Sequence, residues 1–351
     1  MDETKDFHPG TPEFEGAADE AMAQIAWIGE HGTLTGFHAA QRAKNLAKGG
    51  DDRLGFVDVG DFLDAELPPP VPVLSQFADL GSKVGIFGPS KARKSFLGLQ
   101  MAVSLASGQQ LFGWEPVGRF KVGVMQFEIT PAHYQRRVSR MLQSLRMDRG
   151  DVVGHIKILN GRGIGLDLTS QVDAELLAER VRELGIQVLI VDPAYKVFPG
   201  NENDAKDVGR FLAMLDVLAN KTGALIVYLH HFAKGAAGDR ATIDRGSGSG
   251  VWARDFDAAL FLSPQKDDDD TLVVEPIARA YPPVAAFCVE FEDGRFVTST
   301  APPTVRTSAD TRKDRRNFDE LWPALATVLR GKEMQKGELL AALQKEGGMT
   351  R

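Results

Sequence analysis

The sequence predicts an α/β protein: a mostly parallel sheet with an antiparallel C-terminal extension, flanked by short helical segments. Three observations carry that prediction. Between Val71 and Phe296, apolar runs of strand length alternate with segments of helical period. The first such pair, Val84–Phe87 and Phe96–Ala106, is joined by a glycine-led loop, Gly88 to Ser95. Beyond Gly250 the helical segments stop and apolar runs follow one another closely. Apolar runs separated by helices indicate a parallel sheet covered on both faces. Runs joined by short turns indicate antiparallel neighbours.

The elements follow in order. Met1 to about Gly16 is acidic, with Gly and Pro, and reads as disordered. Ala17–Gly29 and Phe37–Ala47 read as two short helices, and Asp51–Leu67 has room for one more. These make an N-terminal segment, 1–67. Pro68-Pro69-Pro70-Val71-Pro72 is a stiff, extended connector that opens a core of residues 68–299. After the first strand–helix pair come a strand over Phe120–Phe127, ending at Glu128, and a helix from Pro131 to about Arg146. A short strand, His155–Leu159, and a helix, Val172–Leu184, are next. Gln187–Val191 is a buried strand ending in Asp192, followed by a helix over Lys206–Thr222. Ala224–Leu229 is another, ending in His230-His231. A Gly/Ser-rich loop, Ala233–Gly250, leads to three consecutive antiparallel strands, Ala258–Leu262, Leu272–Ile277 and Ala285–Phe291. Lys266–Asp270 reads as an exposed hairpin tip, because no turn glycine or spaced ligand set accompanies its aspartates. Residues 300–316 read as a linker and 317–351 as a helical tail. The tail's helices, Asn317–Arg330 and Gln335–Glu346, are either the start of a helix-turn-helix or winged-helix module or a plain packing tail.

Composition narrows the class. A chain of 351 residues with 43% hydrophobic and 25% charged content is ordinary for a globular protein. A net charge of −7 argues against coating nucleic acid by bulk charge, while leaving room for a local basic channel. The single cysteine, Cys288, excludes an intrachain disulfide and fits a reducing cytosol. No basic, then apolar, leader is read at the N-terminus, and no apolar run nears the ~20 residues of a membrane span. The expectation is a cytoplasmic protein with no membrane partner.

The chemistry sits in the loop and at the strand ends. Gly88-Pro89-Ser90-Lys91-Ala92-Arg93-Lys94-Ser95 follows the pattern of a nucleotide-phosphate loop, with Arg93 where glycine is expected. Such a loop turns backbone N–H groups toward phosphate oxygens at a helix N-terminus. Lys94 would meet the β- and γ-phosphates of ATP, and the Ser95 hydroxyl would hold Mg²⁺. The alternative is a Lys/Arg-rich turn before a surface helix. Asp192 is placed to accept from Ser95 or from a Mg²⁺-bound water, or else caps a turn before Pro193. Glu128 is placed as a general base for the attacking water, or is an acid ahead of the helix at Pro131. His230 or His231 is placed to sense the γ-phosphate and pass its presence to the following loop, or is held by backbone carbonyls. In an open parallel sheet ligands gather at the carboxyl ends of the strands. Together these residues favour nucleoside-triphosphate hydrolysis.

At these residues the chain resembles the RecA-like hexameric P-loop ATPases, and within them the RepA-type replicative helicase family of plasmids and phages. The resemblance rests on Gly88–Ser95, Glu128, Asp192-Pro193, Asn201-Glu202-Asn203-Asp204, Leu229-His230-His231-Phe232-Ala233-Lys234-Gly235 and Arg245-Gly246-Ser247. It covers roughly Pro72 to Thr298. It implies a RecA-like core assembled into a homo-oligomeric ring, hexameric in that family, with ATP and Mg²⁺ between subunits and single-stranded DNA in the channel. It also implies a neighbour's arginine in each site. Arg254 lies near the family's finger position; Arg279 resembles the arginine of the Lys-x-Arg motif of DnaB-type helicases, with Ile277 at the lysine position. Either may instead protect a strand edge. Lys234, Arg240 and Arg245 lie where ring helicases place DNA-contacting loops.

Overall fold

A computed structural model describes residues 56–65, 70–231, 251–252, 255–266, 268 and 270–305. The helices expected at Ala17–Gly29 and Phe37–Ala47, the tail from 317, the basic residues Lys234, Arg240 and Arg245, and Arg254 lie outside the described residues.

A five-residue helix, α1 (Val59–Leu63), is capped by the Asp58 carboxylate and buries none of its residues. A two-stranded antiparallel ribbon, β1 (Pro72–Leu74) and β2 (Ala78–Asp79), leads into the main sheet. That sheet takes β3 (Lys83–Gly88), β4 (Val122–Gln126), β5 (Ile156–Asn160), β6 (Val188–Asp192), β7 (Leu225–His231), β8 (Ala258–Pro264), β9 (Thr271–Ala278), β10 (Phe287–Glu292) and β11 (Arg295–Ser299). The helices between them are α2 (Lys94–Ser107), α3 (Pro131–Ser144), α4 (Gln171–Glu183) and α5 (Ala205–Thr222).

The strand order is β11-β10-β9-β8-β3-β7-β6-β4-β5. From β8 to β5 neighbouring strands are parallel. From β8 to β11 they are antiparallel. The expected parallel core with an antiparallel extension is therefore present, and β8 belongs to both parts. It pairs in parallel with β3 on one side and antiparallel with β9 on the other. Strand β11 was absent from the sequence reading. It returns from β10 through Asp293 and Gly294, both at positive φ (48° and 94°), the Asp-Gly turn that favours a two-residue hairpin.

The sheet's two faces bury separate cores. On one, Leu97, Leu99, Met101 and Leu105 of α2 pack with Leu225, Val227 and Leu229 of β7. On the other, Val208, Phe211 and Leu215 of α5 pack with Ile226 and Tyr228. Alternation along a strand is strict. It therefore sends the last two residues of β7 to different faces, His231 with α2 and His230 with Trp252 and Tyr228. The sequence reading placed both histidines beyond the strand. Instead they pair in it, opposite Gly88 and Phe87.

Candidate nucleotide site

The loop after β3 is held tightly. A Cβ on Gly88 would lie 3.0 Å from the Leu262 Cβ and 3.2 Å from its carbonyl oxygen, so only glycine fits against β8 there. Further on, Lys91 and Arg93 both adopt left-handed backbone, at φ 70° and 57°. That region costs a non-glycine residue roughly 1 kcal/mol. Arg93 is the N-cap of α2 and makes no side-chain cap. Its guanidinium lies 4.6 Å from the centroid of Phe291 and 3.8 Å from Asp270 of the β8–β9 turn. The expected glycine position thus keeps its glycine-like backbone although arginine occupies it.

Lys94 opens α2 and is buried. Its ammonium donates to the carbonyls of Gly88 (2.8 Å) and Pro89 (2.9 Å) and to Nδ1 of His231 (2.9 Å). Burial brings its pKa down to about 8, against the pull of Asp192 and Glu128. Burial also lowers the pKa of His231, and Lys94 adds to the effect. An ammonium donor makes Nδ1 the acceptor on His231. The Ser95 hydroxyl donates to Oδ1 of Asp192 at 3.0 Å. Asp192 ends β6, and burial lifts its pKa to about 6 despite the Ser95 hydrogen bond.

Glu128 lies two residues beyond β4, exposed at the rim, and its Oε1 accepts from the Tyr195 hydroxyl at 2.8 Å. Burial and Glu128 push the Tyr195 phenol up to about 12, so it remains a donor at neutral pH. Ser90, Lys91, Arg93, Lys94, Ser95, Glu128, Asp192 and His231 all line one cleft of about 390 Å³. The structure therefore brings together the loop, Glu128, Asp192 and His231. It separates His230, which is stacked 3.9 Å from Trp252 on the opposite face, buried, with burial pulling its pKa down to about 3.

Arg279 does not join this cleft. It follows β9, and its N–H donates to the Asp257 carbonyl at 2.8 Å, just before β8 begins. Its guanidinium lies 5.6 Å from the Phe256 centroid. Gly88 lies beside Leu262, so five strand residues, about 17 Å, separate Arg279 from the loop of its own chain.

Two lining residues escaped the sequence reading. Arg137 on α3 reaches the cleft with its guanidinium 4.2 Å from the Phe96 centroid. Tyr195, which orients Glu128, sits three residues after Asp192. Proximity to Asp192 was a signal for Tyr195. Arg137 has only its place on a helix following Glu128, which does not separate it from neighbouring Arg136.

Backbone amides at the α2 N-terminus and the Lys94 ammonium suit a polyphosphate. The Ser95 hydroxyl and the Asp192 carboxylate are the hard oxygen donors that Mg²⁺ takes, and they already converge. A phosphate loop between a parallel strand and a helix, faced by a strand-end aspartate on this sheet, defines a RecA-like P-loop ATPase domain. The chain belongs to the AAA domain family AAA_25, whose model matches residues 51–237. It is also similar to two solved structures. The ATPase domain of a helicase is 15% identical with a TM-score of 0.46, over 62% of this chain and 84% of that one. The RadB recombinase is 14% identical with a TM-score of 0.45, over 63% and 91%.

Proposed function

We propose that the protein binds ATP with Mg²⁺ in this cleft and hydrolyses it as a ring-forming helicase of the RepA type, moving on single-stranded DNA during replication of a plasmid or phage. The observation that carries the reading is the convergence of Lys94, the Ser95–Asp192 pair and Glu128 from separate strand ends onto one cleft. Lys94 exchanges its loop carbonyls for phosphate oxygens, and the anionic ligand favours its charged form. Ser95 and Asp192 hold Mg²⁺, which neutralises charge on the transferring phosphoryl group. Glu128, fixed by Tyr195, takes the proton of the attacking water. His231 loses or keeps its contact with Lys94 according to the phosphate present, and the change passes to the residues that follow β7. Arg254 or Arg279 completes the site of the neighbouring subunit. Lys234, Arg240 and Arg245 contact DNA phosphates without reading sequence.

One observation favours a second reading, a DNA-associated loading or regulatory factor that uses ATP as an assembly switch. Lys94 is satisfied by three partners of its own chain, which nucleotide must displace. Turnover measured with and without single-stranded DNA separates the two. The helicase reading expects DNA-stimulated hydrolysis, abolished with ATP binding in Lys94→Ala. It also expects Glu128→Gln to retain ATP binding with turnover lower by roughly two orders of magnitude. ATP binding and turnover at the parent level in Lys94→Ala would remove the phosphate-loop assignment.

A further inference from the structure

Two apolar surfaces of this chain lie open, and they match. The first is α1, where Val59, Phe62 and Leu63 are 69%, 50% and 75% exposed. The family match begins at residue 51 and so takes in this helix together with the core. The helix nevertheless packs nothing of its own away. The second is a groove of about 300 Å³ between α4 and α5, lined by Ala174, Glu175, Arg210, Met214, Val217 and Lys221. Val217 is 39% exposed inside it, and Val172 and Leu176, one position further round α4, are 77% and 62% exposed.

Their charges are opposite. Around α1 the polar positions are Asp58, Asp61 and Asp64, with no cation among residues 56–65. The groove presents Arg210 and Lys221, with Arg182 nearby. Glu175 already binds Lys221 and Arg182. Arg210 has no ion-pair partner among the described residues, so the groove keeps a cation for an incoming carboxylate. Between α1 and the core the sequence runs Pro68-Pro69-Pro70, which disfavours folding back onto the same subunit.

We propose that α1 of one subunit seats Phe62 and Leu63 in the α4–α5 groove of the next. The contact is head-to-tail: each subunit gives one helix and one groove, as a closed ring requires. It deepens the ring assembly proposed above by naming the surfaces that make it. It is separate from the nucleotide cleft, which involves neither α1 nor α5.

The test uses the full chain in sedimentation velocity at a concentration where the parent is assembled. Phe62→Asp and Val217→Glu each change an exposed side chain, and unchanged circular dichroism verifies the fold. Leu63→Ser and Val172→Ser are a second pair if either fails that control. Each variant is expected to need at least about tenfold more protein to assemble. Mixed in equal amounts, Phe62→Asp (intact groove) and Val217→Glu (intact helix) are expected to give one-to-one pairs and nothing larger. Raised salt should weaken the parent's assembly. The proposal is overturned if both variants assemble like the parent, or if the parent is monomeric throughout. It is equally overturned if Ile158→Glu, on the exposed edge strand β5, disperses the assembly while Val217→Glu does not. Fluorescent-nucleotide binding, expected to be unchanged in both variants and lost in Lys94→Ala, keeps failure of this contact distinct from failure of the ATP reading.

Discussion

Arg93 shows how a residue can depart from a motif without dismantling it. The loop needs left-handed backbone at this point, and Arg93 supplies it at φ 57°. Its side chain is drawn to Phe291 and Asp270, leaving Lys94 alone at the base of the cleft. Arg93→Gly would relieve roughly 1 kcal/mol of backbone strain and lose a similar amount to the freer unfolded chain, so stability should move little. ATP affinity, by fluorescent-nucleotide titration, is expected to hold or improve. A clear loss would mean that the guanidinium leaves Phe291 for the phosphates. Asp192 carries a pH signature. Its folded pKa, about 6, lies above the ordinary 3.8, so the folded protein binds the extra proton as pH falls through 6. Burying the charged form therefore costs stability above pH 6, by roughly 2–3 kcal/mol, and the cost fades toward pH 4. Asp192→Asn is expected to raise the unfolding free energy at pH 8, to change it little at pH 4, and to lose Mg²⁺-dependent turnover. A destabilised variant at pH 8 would contradict this. Lys94, Ser95 and Asp192 were legible in the sequence because their chemistry is local: a loop pattern, and an apolar run ending in a carboxylate. Arg137 and Tyr195 were not, because their roles arise from contacts across the cleft.

At the scale of elements, β7 is the hinge between the two faces. Its alternation puts His231 against Lys94 and His230 against Trp252, so one dipeptide touches the nucleotide cleft and the opposite core. Trp252 is fully buried and packs on Phe198, Phe211 and Tyr228 as well as His230. Trp252→Ala should cost about 3–5 kcal/mol in urea unfolding, as large cavities at aromatic sites do. A cost below about 1 kcal/mol would mean the stack is not part of the stable core. Strand and helix positions were legible wherever an apolar run was long, as in β6 and β7. Strand β11 was missed because Arg295–Ser299 alternates polar with apolar residues and lacks a continuous run, although Asp293-Gly294 marks its turn. The dual pairing of β8 was also hidden, since an apolar strand does not state the direction of each neighbour.

At the scale of the whole molecule, the cleft and Arg279 lie at opposite ends of the same sheet, about 17 Å apart along the strands. That separation suits an arginine whose site belongs to the next subunit, and Arg254 is the other candidate for that role. A shared site makes a prediction that a self-contained one does not. Arg254→Ala and Arg279→Ala are each made and mixed with Lys94→Ala, and ATP turnover of the mixtures is compared with that of each variant alone. The variant lacking the true finger should bind ATP nearly as the parent does and hydrolyse it steeply more slowly. Its mixture with Lys94→Ala should regain part of the parent's turnover, because some interfaces then pair an intact loop with an intact arginine. Normal hydrolysis by both arginine variants, from a parent that sediments as a monomer with ATP and single-stranded DNA, would contradict a site shared between subunits.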